Sequence, residues 1–277
     1  MTAYPNSGNP IRIVAIVPNP KKQRAKQEVP RLKKWLRSRR IASVSMAQLA
    51  KADALITLGG DGTILSVAPL AASANIPVLG INIGRMGFMT AVKLEQMYKA
   101  LDHWLKGRWV VSHRMMLEVE APRVKTPLFA LNDAVIRIGS TTRITTISAS
   151  IENEDLGRFR GDGVIVSTST GSTAYSLAAQ GPVVHPDVEA IILTPICPHS
   201  FTQRPVVFPA HQTLELRLHD QREGNEVQLC LDGQRVFLLR SGDRVKIRRS
   251  PYKLRLLQDP RWPYFGVLRE KLSWGKE

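Results

Sequence analysis

Residues 54–63 read ALITLGGDGT, an apolar run that leads directly into a glycine-rich turn. The run Ala54–Leu58 is typical of a buried strand, and helical residues follow from about Ile64, although Pro69 interrupts the helical pattern. The rest of the first hundred residues also alternates strand and helix patterns. The other predicted strands are Ile11–Val17, Ile41–Met46 and Ile76–Ile81, and the other predicted helices lie in residues 21–40 and Leu94–Leu105. This alternation predicts a doubly wound parallel sheet, which binds ligands at the carboxyl ends of its strands.

The pattern changes near Trp109, beyond which strand-like runs dominate and turn residues separate them at short intervals. These runs are Val110–Glu120, Leu128–Ile138, Ile144–Ile151, Val164–Ser169, Ala190–Leu193, Thr213–Leu218, Val227–Leu231 and Val245–Ile247. Ser172–Ala179 has helical character, and Phe265–Leu272 predicts a terminal helix. The sequence therefore predicts an α/β domain over residues 1–110 and an all-β, sandwich-like domain over residues 111–259. The tail, residues 260–277, is expected to place its helix back on the first domain.

The chain carries a large excess of positive charge, because 39 Lys and Arg against 23 Asp and Glu give a net charge of +16 over 277 residues. Residues 21–40 hold ten basic residues and a single acid, Glu28. Within them, Val29, Leu32, Trp35 and Leu36 recur at helical spacing, which predicts an amphipathic surface helix with a basic outer face. That face either is a solvated surface that raises solubility or attracts phosphate-rich ligands.

Composition narrows the class of protein. Hydrophobic residues make up 43% and charged residues 22% of the chain, which is typical of a globular fold. No run approaches the roughly 18 consecutive apolar residues of a membrane span, and the first ten residues lack the apolar core of a signal peptide. Cys197 and Cys230 are too few for a disulfide framework, which favours a reducing cytoplasm.

The turn Gly59–Thr63 has the residue types of an anion site, because glycines let backbone N–H groups approach a ligand closely. Asp61 at its centre suits a different task, namely accepting a proton from a hydroxyl group or holding Mg²⁺ beside phosphates. The simpler alternative is a strand-to-helix turn in which Asp61 caps the helix. Neither the P-loop pattern GxxxxGK[ST] nor GxGxxG after a strand occurs, so a Walker-type nucleotide site is not expected.

A second polar segment begins at Gly161–Gly163 and continues as VIVSTSTGSTAYS to Ser176. A strand that leads into small hydroxyl residues and a short helix offers N–H and hydroxyl donors to an anion or a ribose. Tyr175 adds an aromatic face for a base; the alternative is a capped helix with a core tyrosine. Asn132 and Asp133 interrupt the apolar strand LFALNDAVIRI, and because buried unpaired polar groups are costly, we expect one of them to contact a ligand or a partner.

These segments together resemble the NAD kinase family. The matching blocks are GGDGT at 59–63, ND at 132–133, DGVIVSTSTGSTAYSLAAQGPVVHP at 162–186, TPICPHSFTQRP at 194–205, DGQ at 232–234 and LREKLSW at 268–274. The TGSTAY and TPICPHS blocks are highly specific, whereas GGDG alone also occurs in phosphofructokinases and diacylglycerol-type lipid kinases. The chain departs from the family pattern at Met86 and Met89, which replace leucines, at Ser169, which replaces a proline, and at Gly161, which often is alanine.

The resemblance implies Mg²⁺-dependent transfer of a phosphoryl group from ATP or polyphosphate to the adenosine ribose 2′-hydroxyl of NAD, which gives NADP. It also implies that residues 1–110 bind nucleotide, that residues 111–259 bind NAD, and that the protein forms a homodimer or a homotetramer. Neither a specific nucleic acid nor a membrane is an expected partner. Two alternatives stay open: another GGDG-type kinase that acts on a lipid or sugar phosphate, and a non-catalytic basic protein that binds anions.

The resemblance also implies roles for individual residues. Asp61 is the expected general base, and the donor phosphates are expected at Gly59, Gly60, Gly62 and Thr63. Substrate contacts are implied at Gly62, Arg85, Asn132, Asp133, Arg143, Arg160 and Asp162. The expected adenine pocket consists of Thr173, Ala174, Tyr175, Ser176, Leu177 and Ala178, with Gln234 at its edge. We expect the donor phosphates to carry Mg²⁺, with Asp61 as the candidate protein ligand.

Overall fold

The structure is a computed structural model that describes residues 2–3, 11–84, 86–90, 92–139, 144–219, 226–261 and 263–274. The chain divides into two compact units, one made of Met1–His113 and Leu254–Glu277 and the other of Arg114–Lys253. Within these described ranges, each helix is too short or too polar to cross a membrane.

Strands and helices alternate in the first unit. They are β1 (Thr2–Ala3), β2 (Ile13–Pro18), α1 (Gln23–Ser38), β3 (Ala42–Val44), β4 (Ala54–Gly59), α2 (Asp61–Ser73), β5 (Val78–Asn82), β6 (Val92–Lys93) and α3 (Met97–Leu105). Short 3₁₀ turns occur at Met46–Lys51 and Leu94–Gln96. β7 (Val110–Glu120) carries the chain into the second unit.

Strands dominate the second unit. They are β8 (Leu128–Ala130), β9 (Asp133–Ile138), β10 (Thr145–Ile151), β11 (Glu154–Gly161), β12 (Gly163–Thr168), β13 (Ala190–Ile196), β14 (Val206–Pro209), β15 (Leu214–Leu218), β16 (Val227–Leu231), β17 (Arg235–Leu239) and β18 (Arg244–Gln258). A 3₁₀ turn at Gly171–Thr173 precedes the single-turn helix α4 (Tyr175–Ala178). The end of β18 and the terminal helix α5 (Tyr264–Leu272) belong to the first unit.

The sheet of the first unit is mostly parallel, as the sequence predicts. β3, β2, β4 and β5 lie side by side in that order, and the end of β18 continues the sheet beyond β5. Every residue of β4 is buried, in agreement with its uninterrupted apolar sequence. Leu32 and Leu36 of α1 and Trp104 of α3 belong to the same cluster of buried side chains as the strands. The predicted α/β fold of this region is confirmed.

Two helices of the first unit differ in how well the sequence predicts them. The basic segment forms α1, which buries Ala25, Leu32 and Leu36 and leaves most of its basic residues exposed. α2 continues through Pro69 to Ser73, although proline removes one helical hydrogen bond. Its Ile64, Val67, Ala68, Ala71 and Ala72 are buried, and their burial offsets that loss.

The second unit is antiparallel, and the predicted all-β fold is confirmed. Six strands form one sheet in the order β14-β13-β12-β9-β16-β17. β11, β10, β15 and the first half of β18 pair in that order, and side chains from both groups of strands form one buried cluster. Ala134, Ile136 and Ile138 of β9 point into this cluster. Alternation therefore places Asp133, Val135 and Arg137 on the opposite face of the six-stranded sheet.

The structure also differs from the predicted strands in detail. The run Leu128–Ile138 is not one strand, because the chain bends at Leu131–Asn132 and divides it into β8 and β9. Five strands were not predicted, namely β1, β6, β11, β14 and β17, and each pairs with a single neighbouring strand. β18 extends far beyond the predicted Val245–Ile247.

Candidate functional site

The glycine turn after β4 forms the first part of the candidate site. β4 ends at Gly59, Gly60 is the N-cap residue of α2, and the helix begins at Asp61. The positive end of the helix dipole therefore lies at the carboxyl end of a parallel strand. A Cβ atom at Gly59 would come within 2.0 Å of Thr63 Oγ1, so this tight turn requires glycine. Thr63 Oγ1 accepts a hydrogen bond from Asn19 Nδ2 at 3.2 Å.

The Asp61 carboxylate binds the segment between β5 and β6. Its Oδ1 accepts hydrogen bonds from the N–H of Met89 (3.2 Å), the N–H of Thr90 (3.1 Å) and the hydroxyl of Thr90 (2.9 Å). Its Oδ2 accepts one, from the N–H of Phe88 at 2.7 Å. The interpretation of Asp61 as a helix cap is therefore wrong. Because Oδ1 accepts three hydrogen bonds and Oδ2 one, Oδ2 keeps the greater capacity to accept a further hydrogen bond.

Gly87 and Asn82 make this arrangement of Asp61 possible. A Cβ atom at Gly87 would lie 1.9 Å from Asp61 Oδ1 and 2.5 Å from Oδ2, so only glycine lets the carboxylate approach this closely. Asn82 is buried, and its Nδ2 donates a hydrogen bond to Thr90 Oγ1 at 2.9 Å. Because that oxygen accepts from Asn82, its own proton points towards Asp61.

Two lysines bring positive charge to the segment that holds Asp61. Lys22 Nζ donates a hydrogen bond to the carbonyl oxygen of Ile83 at 2.5 Å. Lys271 of α5 lies 5.8 Å from the centroid of the Phe88 ring, which is within the range of a cation–π interaction. Arg85, the basic residue that the sequence places near the phosphates, lies outside the described residues.

The second part of the candidate site is a pocket of about 330 Å³ in the second unit. It opens on the face of the six-stranded sheet that carries the side chains of Asp133, Val135 and Arg137. Its lining residues are Asn132, Asp133, Val135, Arg137, Ala174, Tyr175, Cys230, Asp232 and Gly233. The Tyr175 side chain is partly open to solvent, with 40% of the residue exposed. Asn132 Oδ1 is buried and has no hydrogen-bond partner in the described part of the chain. The pocket therefore combines an aromatic ring with polar groups that a ligand can satisfy.

Two aspartates lie side by side in this pocket. Asp232 accepts hydrogen bonds from the N–H groups of Leu131 (2.8 Å), Asn132 (2.7 Å) and Asp133 (3.1 Å). Burial raises the pKa of Asp232, whereas these three hydrogen bonds favour its charged form. Burial, and then the neighbouring charge of Asp232, raise the pKa of Asp133 to about 7. Burial therefore raises the pKa of both carboxyl groups of the pair.

Four of the sequence-predicted substrate contacts line the pocket: Asn132, Asp133, Ala174 and Tyr175. Arg143 lies outside the described residues, and the remaining ones in this unit lie outside the pocket lining. Arg160 and Asp162 are exposed at the end of β11 and just after it, and Gln234 lies in the turn between β16 and β17.

The other predicted adenine contacts lie beside the 3₁₀ turn and α4. The Thr173 hydroxyl donates to the carbonyl oxygen of Thr170 at 3.3 Å, and the Ser176 hydroxyl hydrogen-bonds to that of Thr194 at 2.9 Å. Leu177 is half-buried. Ala178 lines a different depression, together with Cys197 and Phe201.

Several residues at the Asp61 turn and in the pocket of the second unit were not predicted from the sequence. Lys22 belongs to the basic run 21–40, but spacing alone does not show which of its lysines reaches β5. In the pocket, the missed residues are Val135, Arg137, Cys230, Asp232 and Gly233. The signal for Asp232 and Gly233 was the DGQ block, and the signal for Val135 and Arg137 was the alternation along β9 that begins at Asp133.

The chain is similar to known proteins along most of its length. Residues 20–109 match the family model of the ATP-NAD kinase N-terminal domain, and residues 131–258 match that of the ATP-NAD kinase C-terminal domain. An NAD kinase of Geobacter metallireducens is 41% identical over 260 residues, which cover 87% of this chain and 91% of the relative.

Two solved structures have a similar fold. Yeast NADH kinase complexed with NADH superposes with a TM-score of 0.84 at 25% identity, over 98% of this chain and 90% of that chain. An NAD kinase from Archaeoglobus fulgidus in complex with ATP gives a TM-score of 0.79 at 26% identity, over 94% of this chain and 98% of that chain. With both domain models matched and close relatives aligned over most of their length, the resemblance seen in the sequence is confirmed: the chain belongs to the NAD kinase family.

Proposed function

We propose that this protein phosphorylates the 2′-hydroxyl of the adenosine ribose of NAD, with ATP or polyphosphate as the phosphoryl donor, and releases NADP. The observation that carries the proposal is the half-buried Asp61 carboxylate, which lies at the start of α2 with a single hydrogen bond to Oδ2. The solved relatives are complexes with NADH and with ATP, respectively, which supports a dinucleotide acceptor and a nucleotide donor. Neither another GGDG-type kinase nor a non-catalytic anion-binding protein is favoured by these relatives.

Asp61 orients the ribose hydroxyl and takes its proton late in the transfer. With ATP, a bond forms between the ribose O2′ and the γ-phosphorus while the bond from that phosphorus to the β–γ bridging oxygen breaks, so ADP leaves. The hydroxyl proton passes to Asp61 Oδ2. Because the transition state is loose, positioning and charge neutralisation supply most of the acceleration, and the general base contributes a factor on the order of 10²–10⁴.

Positive charge for the donor phosphates is available in the first unit. The N–H groups of the turn Gly59–Thr63 and the start of α2 suit a phosphate group. Lys22 lies close to the same segment as Asp61, and Arg85 is proposed as a further phosphate contact. We propose Gly59, Gly60, Gly62 and Thr63 as the phosphate-binding residues.

The oxygen ligands of the proposed site suit a magnesium ion that is bound mainly by the phosphates of ATP or polyphosphate. Among the described residues, no group of three or more His, Cys, Asp or Glu side chains is placed to hold a metal. Mg²⁺ usually keeps several waters and binds through one or two carboxylates and the substrate phosphates. The donor phosphates would therefore carry the ion, and Asp61 is the candidate protein ligand, a role that is an alternative to accepting the proton at Oδ2. When bound, the ion neutralises charge on the transferred phosphoryl group.

The pocket of the second unit is proposed to bind NAD. Asn132 and Asp133 offer an amide and a carboxyl group to the ribose and nicotinamide half, and the Tyr175 ring packs on a base beside Ala174. Further substrate contacts are proposed at Arg143, Arg160, Asp162, Thr173, Ser176, Leu177, Ala178 and Gln234, on the strength of the motif resemblance. Domain roles are proposed in the same way, with nucleotide binding in residues 1–110 and NAD binding in residues 111–259.

The test is incubation of the purified protein with NAD, Mg²⁺ and either donor, followed by enzymatic detection of NADP. We expect NADP to form, and we expect Asp61→Asn to lower kcat at least about a hundredfold while NAD still binds. A wild-type protein that makes no NADP with either donor, but phosphorylates a lipid or a sugar phosphate in a parallel panel, would contradict the proposal. Wild-type turnover by Asp61→Asn would contradict the role of Asp61.

A cytoplasmic location and a homodimeric or homotetrameric state complete the proposal. Both cysteines, Cys197 and Cys230, are free thiols, which supports a reducing compartment. The oligomeric state rests on the family resemblance, and sedimentation equilibrium would measure it.

A further inference from the structure

The turn between β16 and β17 directs a carboxylate at the neighbouring strand. Asp232 and Gly233 both adopt left-handed backbone conformations, with φ of 51° and 61°, which is typical of tight hairpin turns. The Asp232 side chain consequently faces the bend between β8 and β9. The contact is reciprocal, because the N–H of Asp232 donates a hydrogen bond to the carbonyl oxygen of Asp133 at 3.0 Å.

The backbone of the bend depends on Asp232 for all of its N–H donors. The carbonyl oxygens of Leu131 and Asn132 accept hydrogen bonds from the hydroxyl (2.7 Å) and the N–H (2.9 Å) of Thr168 in β12. The N–H groups of Leu131, Asn132 and Asp133, in contrast, all donate to the one carboxylate of Asp232. Thr168 of β12 thus binds the carbonyl oxygens of the bend, and the Asp232 side chain alone binds its N–H groups.

This dependence links Asp232 to the ligand pocket. Asn132 and Asp133 line the pocket, and their orientation follows from the backbone of the bend. We propose that Asp232 is a positioning residue for NAD, which holds Asn132 and Asp133 in the geometry that the dinucleotide requires. This inference rests on the proposed function, since it assumes that the pocket binds NAD.

Asp232 also acts on Asp133 through charge. The two carboxyl groups are buried, and the pKa of Asp133 is raised to about 7 by burial and by the charge of Asp232. The other titratable or charged groups that line the pocket are Arg137 on β9, Tyr175 on α4 and Cys230 on β16. Burial raises the pKa of Asp232, and the positive charge of Arg235, at the start of β17, offsets part of that rise. If an ionised Asp133 accepts hydrogen bonds from a ribose, NAD affinity rises with pH through about 7.

The experiment measures the Kd of NAD by calorimetry, without a donor, between pH 5.5 and 8.5 (a range of about 1.5 units on either side of the Asp133 pKa). We expect Asp232→Asn to weaken NAD binding at high pH by about tenfold or more, the loss that corresponds to one hydrogen bond to a charged group. The pH at which affinity changes should also shift downwards, because the charge that opposes ionisation of Asp133 is gone. Asp232→Glu keeps the charge but displaces the carboxylate, so it should weaken binding without that shift.

Asp243→Asn is the matched control. The Asp243 carboxylate lies in the turn between β17 and β18 of the second unit, accepts a hydrogen bond from the N–H of Arg240 at 2.6 Å and pairs with Arg123, but it does not line the pocket. Its loss should lower the melting temperature and leave the Kd of NAD within about twofold of wild type. This control separates a loss of stability from a loss of positioning.

The outcomes distinguish this inference from the proposed function. Should the wild-type protein neither bind NAD nor form NADP, the proposed function fails and this inference fails with it. Should the wild-type protein do both while a folded Asp232→Asn binds NAD with unchanged Kd and pH dependence, only the positioning role is overturned. If Asp232→Asn is too unstable to assay, Asp232→Glu decides, because wild-type affinity in that variant would also overturn the role.

Discussion

Replacement of Gly87 by alanine tests whether the position of the Asp61 carboxylate sets the rate. The added Cβ atom would lie 1.9 Å from Asp61 Oδ1, whereas Cβ atoms essentially never approach another heavy atom within 3.0 Å. The two groups must therefore separate by at least about 1 Å, a displacement that typically costs about a hundredfold in rate when it misplaces a reacting group. The carboxylate would also lose hydrogen bonds to Phe88, Met89 or Thr90.

The stability cost can be worked from those contacts. Each hydrogen bond to a charged group contributes about 1.5–3 kcal/mol, so loss of two of the four on Asp61 predicts destabilisation on the order of 3 kcal/mol or more. We expect Gly87→Ala to lower kcat for NADP formation at least about a hundredfold and to lower the melting temperature. The assay is steady-state NADP formation with saturating NAD and ATP, with thermal unfolding measured on the same samples.

Gly266→Ala in α5 provides the control for glycine replacement in the first unit. A Cβ atom there would meet only Pro263, at 3.6 and 3.8 Å, which is ordinary contact. Alanine is also the better helix former by roughly 0.8–1.0 kcal/mol. This variant should keep its activity and unfold at the wild-type temperature or above. The reasoning would be refuted by a folded Gly87→Ala enzyme with kcat within about threefold of wild type in a preparation where Asp61→Asn is inactive.

Three further predictions concern the pocket of the second unit. Tyr175→Ala should raise the KM for NAD more than the KM for the donor; an unchanged KM for NAD with a lower melting temperature would favour a purely structural tyrosine. Asp133→Asn should stabilise the protein above pH 7, by up to about 4 kcal/mol, because the folded state must otherwise ionise a buried acid whose pKa is about 7 instead of 3.8. That gain should shrink as the pH falls from 7 towards 4, where folded Asp133 is protonated; equal unfolding free energies at pH 8 would contradict it. Gly171→Ala would place a Cβ atom 2.1 Å from the carbonyl oxygen of Asn132, so it should raise the KM for NAD with less effect on kcat, and an unchanged KM would argue against Asn132 as a contact.

The parts of the fold that the sequence predicts well are those buried on both sides. β4 and β5 are uninterrupted apolar runs because both of their faces are covered. The unpredicted strands are all edge strands. β11 reads EDLGRFRG, and most of its side chains are exposed or half-buried, so period-two alternation is weak. An edge strand is specified by the neighbour with which it pairs. β14 pairs with the preceding strand β13 across the loop 197–205, and β17 pairs with β16 through a tight turn.

Local rules also fail where tertiary contacts outweigh them. Pro69 marks a break in the helical pattern, yet α2 continues to Ser73 because its apolar residues are buried. The run Leu128–Ile138 looks like one strand, but the Asp232 carboxylate binds the N–H groups of its centre and so stabilises a bend. α2 packs on its chain neighbours β4 and β5, whereas Asp232 is far from the bend in the chain.

For the candidate site, the sequence predicts the acidic residues but not the groups that bind their carboxylates. The glycines around Asp61 indicate a special turn, and the polar pair Asn132–Asp133 indicates a ligand, because such residues are costly inside apolar runs. Nothing in the spacing shows that Asp61 binds Phe88–Thr90, or that Gly87 is required by that contact. These contacts arise because β4 and β5 are neighbours in the sheet, which brings the ends of both strands to one edge.

The acids of both candidate sites are held by neutral groups in a strongly basic protein. Backbone N–H groups bind Asp61 and Asp232, and within the described ranges no ion pair involves Asp61, Asp133 or Asp232. A guanidinium or ammonium partner would neutralise each carboxylate and would itself be lost as a phosphate ligand. Because N–H donors orient a carboxylate without adding a charged group, the excess of lysine and arginine stays available for polyphosphate ligands. The positive charges near the acids belong to side chains that do not pair with them: Lys22 donates to the carbonyl oxygen of Ile83, and Arg235 acts on Asp232 through charge alone.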